Sequence, residues 1–384
     1  MVSILTGLIF LLLLCYVALL LQYKKWFSRL REFHMDKPVQ GSNVRFSIVI
    51  PARDEEENIG ACLQSILDND FPLAQYEIIV IDDFSTDATA AIVQDFSKQY
   101  LNVCLLHMSE LIPNAAQLNS YKKKAIELAI GKSNGDWIVT TDADCTVGKK
   151  WLSSFADYIG QTDIVFVAAP VKFSNDGHFI SIFQCLDFLS LQGITAASVS
   201  AGFHSMCNGA NLCYKKTAFW DVEGFKGVDQ LASGDDMFLM HKIQRKFPGK
   251  IGYLFSPNAI VSTLPMPDVK SFLNQRIRWA SKADSYQDKK IIVVLAGVYL
   301  LNLMLLVGFI ACFFYPPFIL TWLFFIVVKI VFEMYFLVPV ARFYNSRALM
   351  AYFPLMEIPH ILYTVLAGFL GKFGKYQWKG RVVK

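Results

Sequence analysis

The sequence predicts an α/β domain built on a mostly parallel sheet and flanked by transmembrane helices. Three observations carry this. Strand and helix patterns alternate through roughly Val44–Asp288, acidic motifs fall where the strands stop, and long uncharged runs stand at both ends of the chain. With 54% hydrophobic residues over 384 and a mean hydropathy of +0.38, the chain is too apolar for a purely water-soluble protein. Its middle is too charged for a pure transporter. The net charge of +4 is small and argues against nucleic acid as a partner.

The first uncharged run, Val2–Leu21, is long enough to cross a bilayer core of about 30 Å as a helix. Lys24, Lys25, Arg29 and Arg31 follow at once and assign the next segment to the cytoplasm. No basic stretch precedes the run and no small-residue cleavage site ends it, so residues 1–23 read as a retained anchor rather than a signal peptide. Two further spanning helices lie within 291–340, Ile291–Phe314 and Pro317–Val340, joined at Tyr315-Pro316-Pro317. Lys289 and Lys290 before the first, and Arg342 and Arg347 after the second, give both flanks a cytoplasmic reading. Inside the second span Lys329 and Glu333 stand one helical turn apart and read as a mutually satisfied pair without a functional role. The last apolar stretch, 351–371, is interrupted by Pro354, Glu357, Pro359 and His360. A third C-terminal crossing would carry Lys372, Lys375, Lys379, Arg381 and Lys384 outside, so an interfacial or re-entrant segment is favoured. The chain thus reads as a multi-pass protein of the cell (inner) membrane with a cytoplasmic domain at 44–288. Its eight cysteines show neither a CxxC pair nor metal-ligand spacing and read as free thiols.

Within the domain RFSIVIP predicts a strand, EENIGACLQSIL a helix and EIIVID a second strand, followed by a polar helix over about Asp87–Tyr100. NVCLL, KKKAIELAI and DWIVTTD continue the alternation. Ligands of such a sheet bind in the crevice at the carboxyl ends of its strands. The segment His178–Phe203 is apolar but broken by Asp187 and Gln192. It reads as a core helix or, more sharply, as an amphipathic helix on the membrane beside a lipid acceptor.

Four motifs occupy the strand ends. In PARDEEEN, Arg53 and Asp54 rim the crevice after Pro51, while Glu55, Glu56 and Glu57 also suit the first turn of a helix through its dipole. In IDDFSTD, Asp82 and Asp83 end a strand and can accept hydrogen bonds from a nucleotide's base or ribose, with Ser85 or Thr86 available to cap the next helix. In TTDADC, an extended strand end would point Asp142 and Asp144 the same way. Two carboxylates so close resist joint ionisation unless a cation sits beside them, and Mg²⁺ or Mn²⁺ bridged to a diphosphate meets that need. In SGDDMFL, Asp235 and Asp236 read either as cap and first-turn acid of a helix or as the site of a general base. After the domain, LNQRIRWASK read as a helix places Gln275, Arg278 and Trp279 at i, i+3 and i+4 on one face. That helix, 268–285, also suits an interfacial position with Trp and Arg anchored at headgroups.

The ordered set IPARDEEENI, IDDFSTDAT, DAD, GANLCYKKTAF, GDD and QRIRW resembles the membrane-bound, inverting family 2 glycosyltransferases. QRIRW matches the QxxRW signature of the cellulose-synthase-like and hyaluronan-synthase-like group. The resemblance implies the GT-A fold, a Rossmann-like version of the sheet already expected. It also implies donor-side residues Pro51, Arg53, Asp54, Glu55, Asp82, Asp83, Asp142 and Arg278, with Asp83 at the nucleotide base and Lys122 or Lys123 at the donor. Asp142 and Asp144 would hold the Mg²⁺ or Mn²⁺ ion, and Asp236 would be the base. Asp235, Gln275, Arg278 and Trp279 would serve the acceptor and diphosphate side. Three departures stand out, two of them Asp54 where many relatives have Asn and GDD in place of TED. VEGF at Val222–Phe225 likewise replaces the commoner VGGF.

The activity so implied is transfer of a sugar from a nucleotide-sugar donor, a UDP-sugar foremost, to a hydroxyl of a lipid-linked or membrane-associated glycan at the bilayer. Two alternatives remain. QRIRW leans towards a processive polysaccharide synthase, while the few spans favour single or limited addition. A non-catalytic glycan-assembly subunit would have no need of Asp236.

Overall fold

The structure, a computed structural model, describes residues 2–34, 44–112, 118–231, 233–286, 288–373, 376–378 and 381–383. The chain opens with α1 (Val2–Phe27) and continues through β1 (Phe46–Ala52), α2 (Ile59–Leu67), β2 (Tyr76–Asp82), α3 (Thr89–Gln99), β3 (Val103–His107), the single turn α4 (Met108–Leu111), α5 (Tyr121–Lys132), β4 (Trp137–Thr140) and α6 (Trp151–Gln161). β5 (Phe166–Ala168) and β6 (Val171–Phe173) lead into the long α7 (Phe179–Ser200), after which come β7 (Leu212–Lys215), α8 (Lys216–Asp221), α9 (Asp235–Lys246), β8 (Ile251–Tyr253) and β9 (Val261–Thr263). α10 (Val269–Ala280), α11 (Lys289–Phe314), α12 (Phe318–Phe343) and α13 (Phe353–Phe373) follow, and the short β10 (Tyr376–Trp378) and β11 (Arg381–Val383) close the chain. Two compact units result: a helical one from Met1–Leu30, Phe173–His204 and Pro265–Tyr376, and an α/β one from Arg31–Lys172, Ser205–Leu264 and Gln377–Lys384.

The α/β unit is built on a seven-stranded sheet of order β3-β2-β1-β4-β7-β5-β8. β1 to β4 run parallel, as do β5 and β8, and β7 is antiparallel to both its neighbours. The sheet is therefore mostly parallel, as the βα alternation predicts. Its first strand shows why RFSIVIP is so apolar: every residue of β1 except Pro51 is buried, because parallel strands are covered on both faces. Each helix expected between these strands is present, and the polar one forms as α3.

Asn211, 0% exposed, fastens the far half of the sheet. Its Oδ1 accepts from Trp151 Nε1 at 3.0 Å, and its Nδ2 donates to the carbonyls of Pro170 at 2.8 Å and Ala259 at 2.7 Å. One amide thus saturates three buried groups from three segments.

In the helical unit α1, α11, α12 and α13 share a core of Ile9, Leu13, Leu301, Leu305, Phe318, Trp322, Phe325, Ile326 and Ile361. Other large apolar side chains face outward, Phe313 at 73% and Leu320 at 74% exposure among them. By length and composition α1, α7, α11, α12 and the segment Arg347–Phe373 are each able to cross a membrane. α7 is the most enclosed of these, with Gln184, Asp187 and Gln192 all buried. Of the basic residues expected after the last segment, Lys375, Lys379 and Lys384 lie outside the described residues.

Lys329, 0% exposed, donates to Glu333 Oε1 at 2.7 Å, the i,i+4 pair visible in the sequence. It also donates to Glu357 Oε1 of α13 at 2.5 Å, and the Tyr16 hydroxyl of α1 donates to Glu333 Oε1 at 2.5 Å. The pair is thus one half of a cluster that joins three helices. Among the described residues no disulfide joins the cysteines.

Replacing Asn211 by Leu keeps the volume but strands the Trp151 N–H and the Ala259 carbonyl, while the Pro170 carbonyl keeps its bond from the Val261 N–H. The expected loss is on the order of 3 kcal/mol. A thermal melt of purified protein reads it as a clear drop in the transition temperature, and an unchanged melt refutes the bridging role.

Candidate active site

β1, β2 and β3 end at one level, since Ala52 pairs with Asp82 and Asp82 with His107 in parallel register. The loops that follow β1 and β2 are sewn to each other. Arg53 Nη1 donates to the carbonyls of Asp83 at 2.7 Å and Phe84 at 3.0 Å. Asp54 sits at φ +48 and Phe84 at φ +55, and these left-handed backbones are held by hydrogen bonds across the two loops. The Asp54 N–H donates to Ser85 Oγ at 3.1 Å, the Thr86 N–H to Asp54 Oδ1 at 2.8 Å, and the Glu55 N–H to Thr89 Oγ1 at 2.7 Å.

This corrects the capping expectation: Ser85 and Thr86 brace the Asp54 loop, while Ala88 is the N-cap of α3 and Asp87 Oδ1 accepts from the Thr89 N–H at 3.0 Å. Glu56 also serves the clamp, its Oε2 accepting from the Ala88 N–H at 2.8 Å. Asp82 and Asp83 are buried beneath these loops. Asp82 accepts from the Ser85 N–H at 3.2 Å and lies 3.6 Å from His107 Nδ1.

A second cluster forms past β4, which stops at Thr140. The DxD is not an extended strand end as expected; Cys145 N–H donates to Asp142 O at 3.1 Å and closes a turn over Asp142–Cys145. Its exposures still alternate, with Ala143 and Cys145 buried and Asp142 and Asp144 half-buried. Lys122, from the first turn of α5, donates to Asp142 Oδ1 at 2.6 Å and stands 3.6 Å from Asp235 Oδ2. Lys123 points elsewhere: buried beside the Phe238 ring, it donates to the carbonyls of Val228 and Leu231, each at 2.7 Å. Geometry therefore separates two lysines that sequence left equivalent, bringing Lys122 to the acids and giving Lys123 a structural task.

Asp235 and Asp236 occupy the first turn of α9 behind Gly234, the N-cap, whose φ is +83. A Cβ there would lie 2.6 Å from the Phe238 ring, so only glycine fits the turn that aims the two acids. Asp236 Oδ1 accepts from the Met237 N–H at 2.7 Å and Oδ2 from the Gly209 N–H at 3.2 Å. Gly209, which sequence reasoning missed, is the close neighbour of all three groups. A Cβ on it would meet Asp235 Oδ2 at 3.2 Å, and Asp236 Cβ and Lys122 Nζ each at 3.7 Å. The signal was present in GANLCYKKTAF, whose opening glycine stands three residues before β7.

The electrostatics are uneven. Burial, then the Asp142 charge, push the Asp144 carboxyl up to about 6. Burial opposes the Lys122 ammonium, but Asp142 and Asp235 outweigh it and hold the lysine above its ordinary value. Burial also raises the Cys145 thiol, whose Sγ lies 3.4 Å from Asp144 Oδ1. Among the described residues no three His, Cys, Asp or Glu side chains converge as a complete metal cage. Asp142 and Asp144 nonetheless fit a hard divalent cation that keeps most of its oxygens from water and a diphosphate, and such an ion would relieve the burden on Asp144.

The remaining predicted residues belong to the helical unit. α10 begins at Asp268, whose Oδ1 accepts from the Ser271 N–H at 2.8 Å. Gln275, Arg278 and Trp279 are each half-buried, while Arg276 between them is buried at 4% exposure. Arg276 Nη2 pairs with Asp187 Oδ2 of α7 at 2.8 Å. Sequence reasoning missed this pair, and its only trace was an acid interrupting the apolar run of α7.

Residues 47–221 match the family model for Glycosyl transferase family 2, and residues 137–369 match that for Glycosyl transferase family group 2. The chain is 27% identical over 191 residues to Glycosyltransferase AglE of Haloferax volcanii, covering 50% of this chain and 58% of that protein. It is 25% identical over 243 residues to an N-acetylglucosaminyltransferase of Rhizobium meliloti, covering 61% and 54% respectively. It is 25% identical over 236 residues to the poly-beta-1,6-N-acetyl-D-glucosamine synthase of Staphylococcus epidermidis, covering 61% and 53%. The matches span little more than half the length of these relatives. Among solved structures, mannosyltransferase PcManGT from Pyrobaculum calidifontis in complex with GDP-Man and Mn²⁺ superposes with a TM-score of 0.58 at 16% identity. That likeness covers 96% of this chain and 97% of the other, and it identifies the shared GT-A fold.

The Asp144 carboxyl titrates at about 6 in the folded chain, against about 3.9 when unfolded. Its folded form binds the proton more tightly, so this contribution to stability is complete below about pH 4 and is lost as the pH rises through about 6. Metal-stripped protein should melt at progressively lower temperature from about pH 4 to about pH 6, and Asp144→Asn should flatten that part of the profile. Parallel profiles for the two proteins would contradict the assignment.

Proposed function

This chain belongs to glycosyl transferase family 2, and from that premise we propose that it is a membrane-bound inverting glycosyltransferase. It moves a sugar from a nucleoside-diphosphate sugar, a UDP-sugar foremost, to a hydroxyl of a lipid-linked or membrane-associated glycan. The observation that carries this reading is the convergence of Lys122, Asp142, Asp235 and Asp236 beyond the carboxyl ends of the sheet. Asp82 and Asp83 stand at the end of the neighbouring parallel strand.

Asp83, with Asp82 beside it, accepts hydrogen bonds from the nucleoside, while Arg53, Asp54 and Glu55 keep that loop closed after Pro51. Lys122 supplies a fixed positive charge for the donor phosphates. Asp142 and Asp144 would hold Mg²⁺ or Mn²⁺, which when bound neutralises charge on the diphosphate. Asp236 takes the proton of the acceptor hydroxyl as its oxygen forms a bond to the anomeric carbon. The bond to the leaving diphosphate breaks on the opposite face, so configuration inverts. By the motif, Arg278 holds charge on the leaving diphosphate through its planar fork, Gln275 holds neighbouring oxygens, and Trp279 offers a flat surface to a sugar ring.

Family membership and the donor and metal named for the solved mannosyltransferase support this reading. The outward-facing apolar residues and the basic stretch Lys24, Lys25, Arg29 and Arg31 support a cell-membrane location with the α/β unit on the cytoplasmic side. A processive synthase is the second reading, favoured by the likeness to a poly-N-acetylglucosamine synthase.

The test is nucleoside diphosphate release by detergent-purified protein against a panel of UDP- and GDP-sugars, with native membrane lipids. One donor should give metal-dependent release that chelator abolishes, and product length separates single addition from polymerisation. Asp236→Asn should lower turnover by on the order of 10³-fold with donor binding retained. An active Asp236→Asn protein removes the base assignment, and a chain that binds no donor refutes the proposal.

A further inference from the structure

The polar residues of QRIRW do not stand alone on α10. Arg276 Nη1 donates to Gln275 Oε1 at 2.9 Å, and the Arg276 guanidinium lies 4.1 Å from the Trp279 ring centre and 4.8 Å from that of Phe272. Its other edge meets Asp187 Oδ2 at 2.8 Å, with side-chain exposures of 4% and 5% for the two partners. Asp187 Oδ1 in turn accepts from the Tyr363 hydroxyl and faces His360 Nε2 at 3.8 Å. Phe183, Phe272 and Tyr363 close the surround edge to face, at 5.1 to 5.7 Å. One carboxylate of α7 therefore gathers side chains from α10 and α13.

We infer that Arg276 and Asp187 are positioning residues for the QRIRW motif: Arg276 sets the presentation of Gln275 and Trp279, and Asp187 sets Arg276. Arginine carries only donors, so the Gln275 carbonyl turns inward to it and the Nε2 amino group is what Gln275 offers to a substrate oxygen. The guanidinium covers part of the Trp279 face and fixes its tilt, leaving the rest of the indole for a flat apolar ligand face. Asp187 cancels the Arg276 charge, which reserves the phosphate-binding role for Arg278. A buried pair of this kind adds little to stability over an apolar substitute, and its use lies in selecting one arrangement of neighbours. The inference rests on Gln275 and Trp279 serving the substrate.

Two measurements on the full-length protein in detergent test it. Arg276→Lys keeps a charge for Asp187 but loses the planar stack and the second donor. It should lower kcat on the order of 100-fold while donor KM stays within a few-fold. The doubly apolar Arg276→Met with Asp187→Leu guards against misfolding; it should melt close to the parent yet remain as slow as Arg276→Lys. In a Gln275→Ala, Trp279→Ala background the Arg276→Lys change should cost nothing further, because its route has been removed. Full additivity there, or parental kcat in the apolar double variant, overturns the inference. If Gln275→Ala and Trp279→Ala are themselves as active as the parent, the substrate role of the motif falls and the inference falls with it.

The second measurement needs no activity. In protein labelled with 5-fluorotryptophan, the ¹⁹F line that Trp279→Phe deletes should shift and broaden in Arg276→Lys. An unmoved, equally sharp line shows that Arg276 does not hold Trp279, whatever the transferase assays give.

Discussion

The candidate site depends on one constraint, the parallel register of β1 with β2 and β4. Parallel strands cannot turn straight back, so each is followed by a crossover and all their loops emerge at the same end. Ala52 and Asp82 therefore stand level. The Arg53 loop and the Asp83 loop then meet and bond across the gap. Their left-handed residues, Asp54 and Phe84, would strain an isolated loop. Here each loop supplies the partners that the other lacks. The DxD turn follows β4, the other parallel neighbour of β1.

A second constraint acts inside the helical unit, where a charge removed from water must find its opposite. Lys329 meets two carboxylates, and Arg276 meets Asp187. Neither pair can be lost one partner at a time without leaving a charge stranded among apolar side chains. Both clusters also recruit a tyrosine hydroxyl, from Tyr16 in one case and Tyr363 in the other. A neutral donor can bond a carboxylate oxygen without adding charge.

Most of the fold was legible in sequence because it is written in local periodicity. RFSIVIP, EIIVID and DWIVTTD became β1, β2 and β4, and the helices between them kept their places. The acids at the strand ends were legible for the same reason, since strand ends are local features. What escaped depends on angles and on distant partners. Three consecutive lysines look alike until a helix rotates each by its own amount, and only then does Lys122 reach Asp142 while Lys123 turns to Val228 and Leu231. The DxD was read as extended because nothing in TTDADC announces that its strand stops at Thr140. Asp187 with Arg276, and Glu357 with Lys329, are pairings between segments far apart in the chain. No window of sequence contains both partners.

The Lys329 cluster has a consequence for how the polypeptide is made. A ribosome delivers α1 well before α12 and α12 before α13, so Tyr16 is already waiting and Glu357 does not yet exist when Lys329 emerges. Glu333 lies within the same helix, four residues on, and closes on the ammonium as soon as that helix winds. The nascent chain thus carries its own temporary counter-ion. The permanent arrangement is sealed only when α13 arrives with Glu357, which makes that helix the latch on the order of assembly.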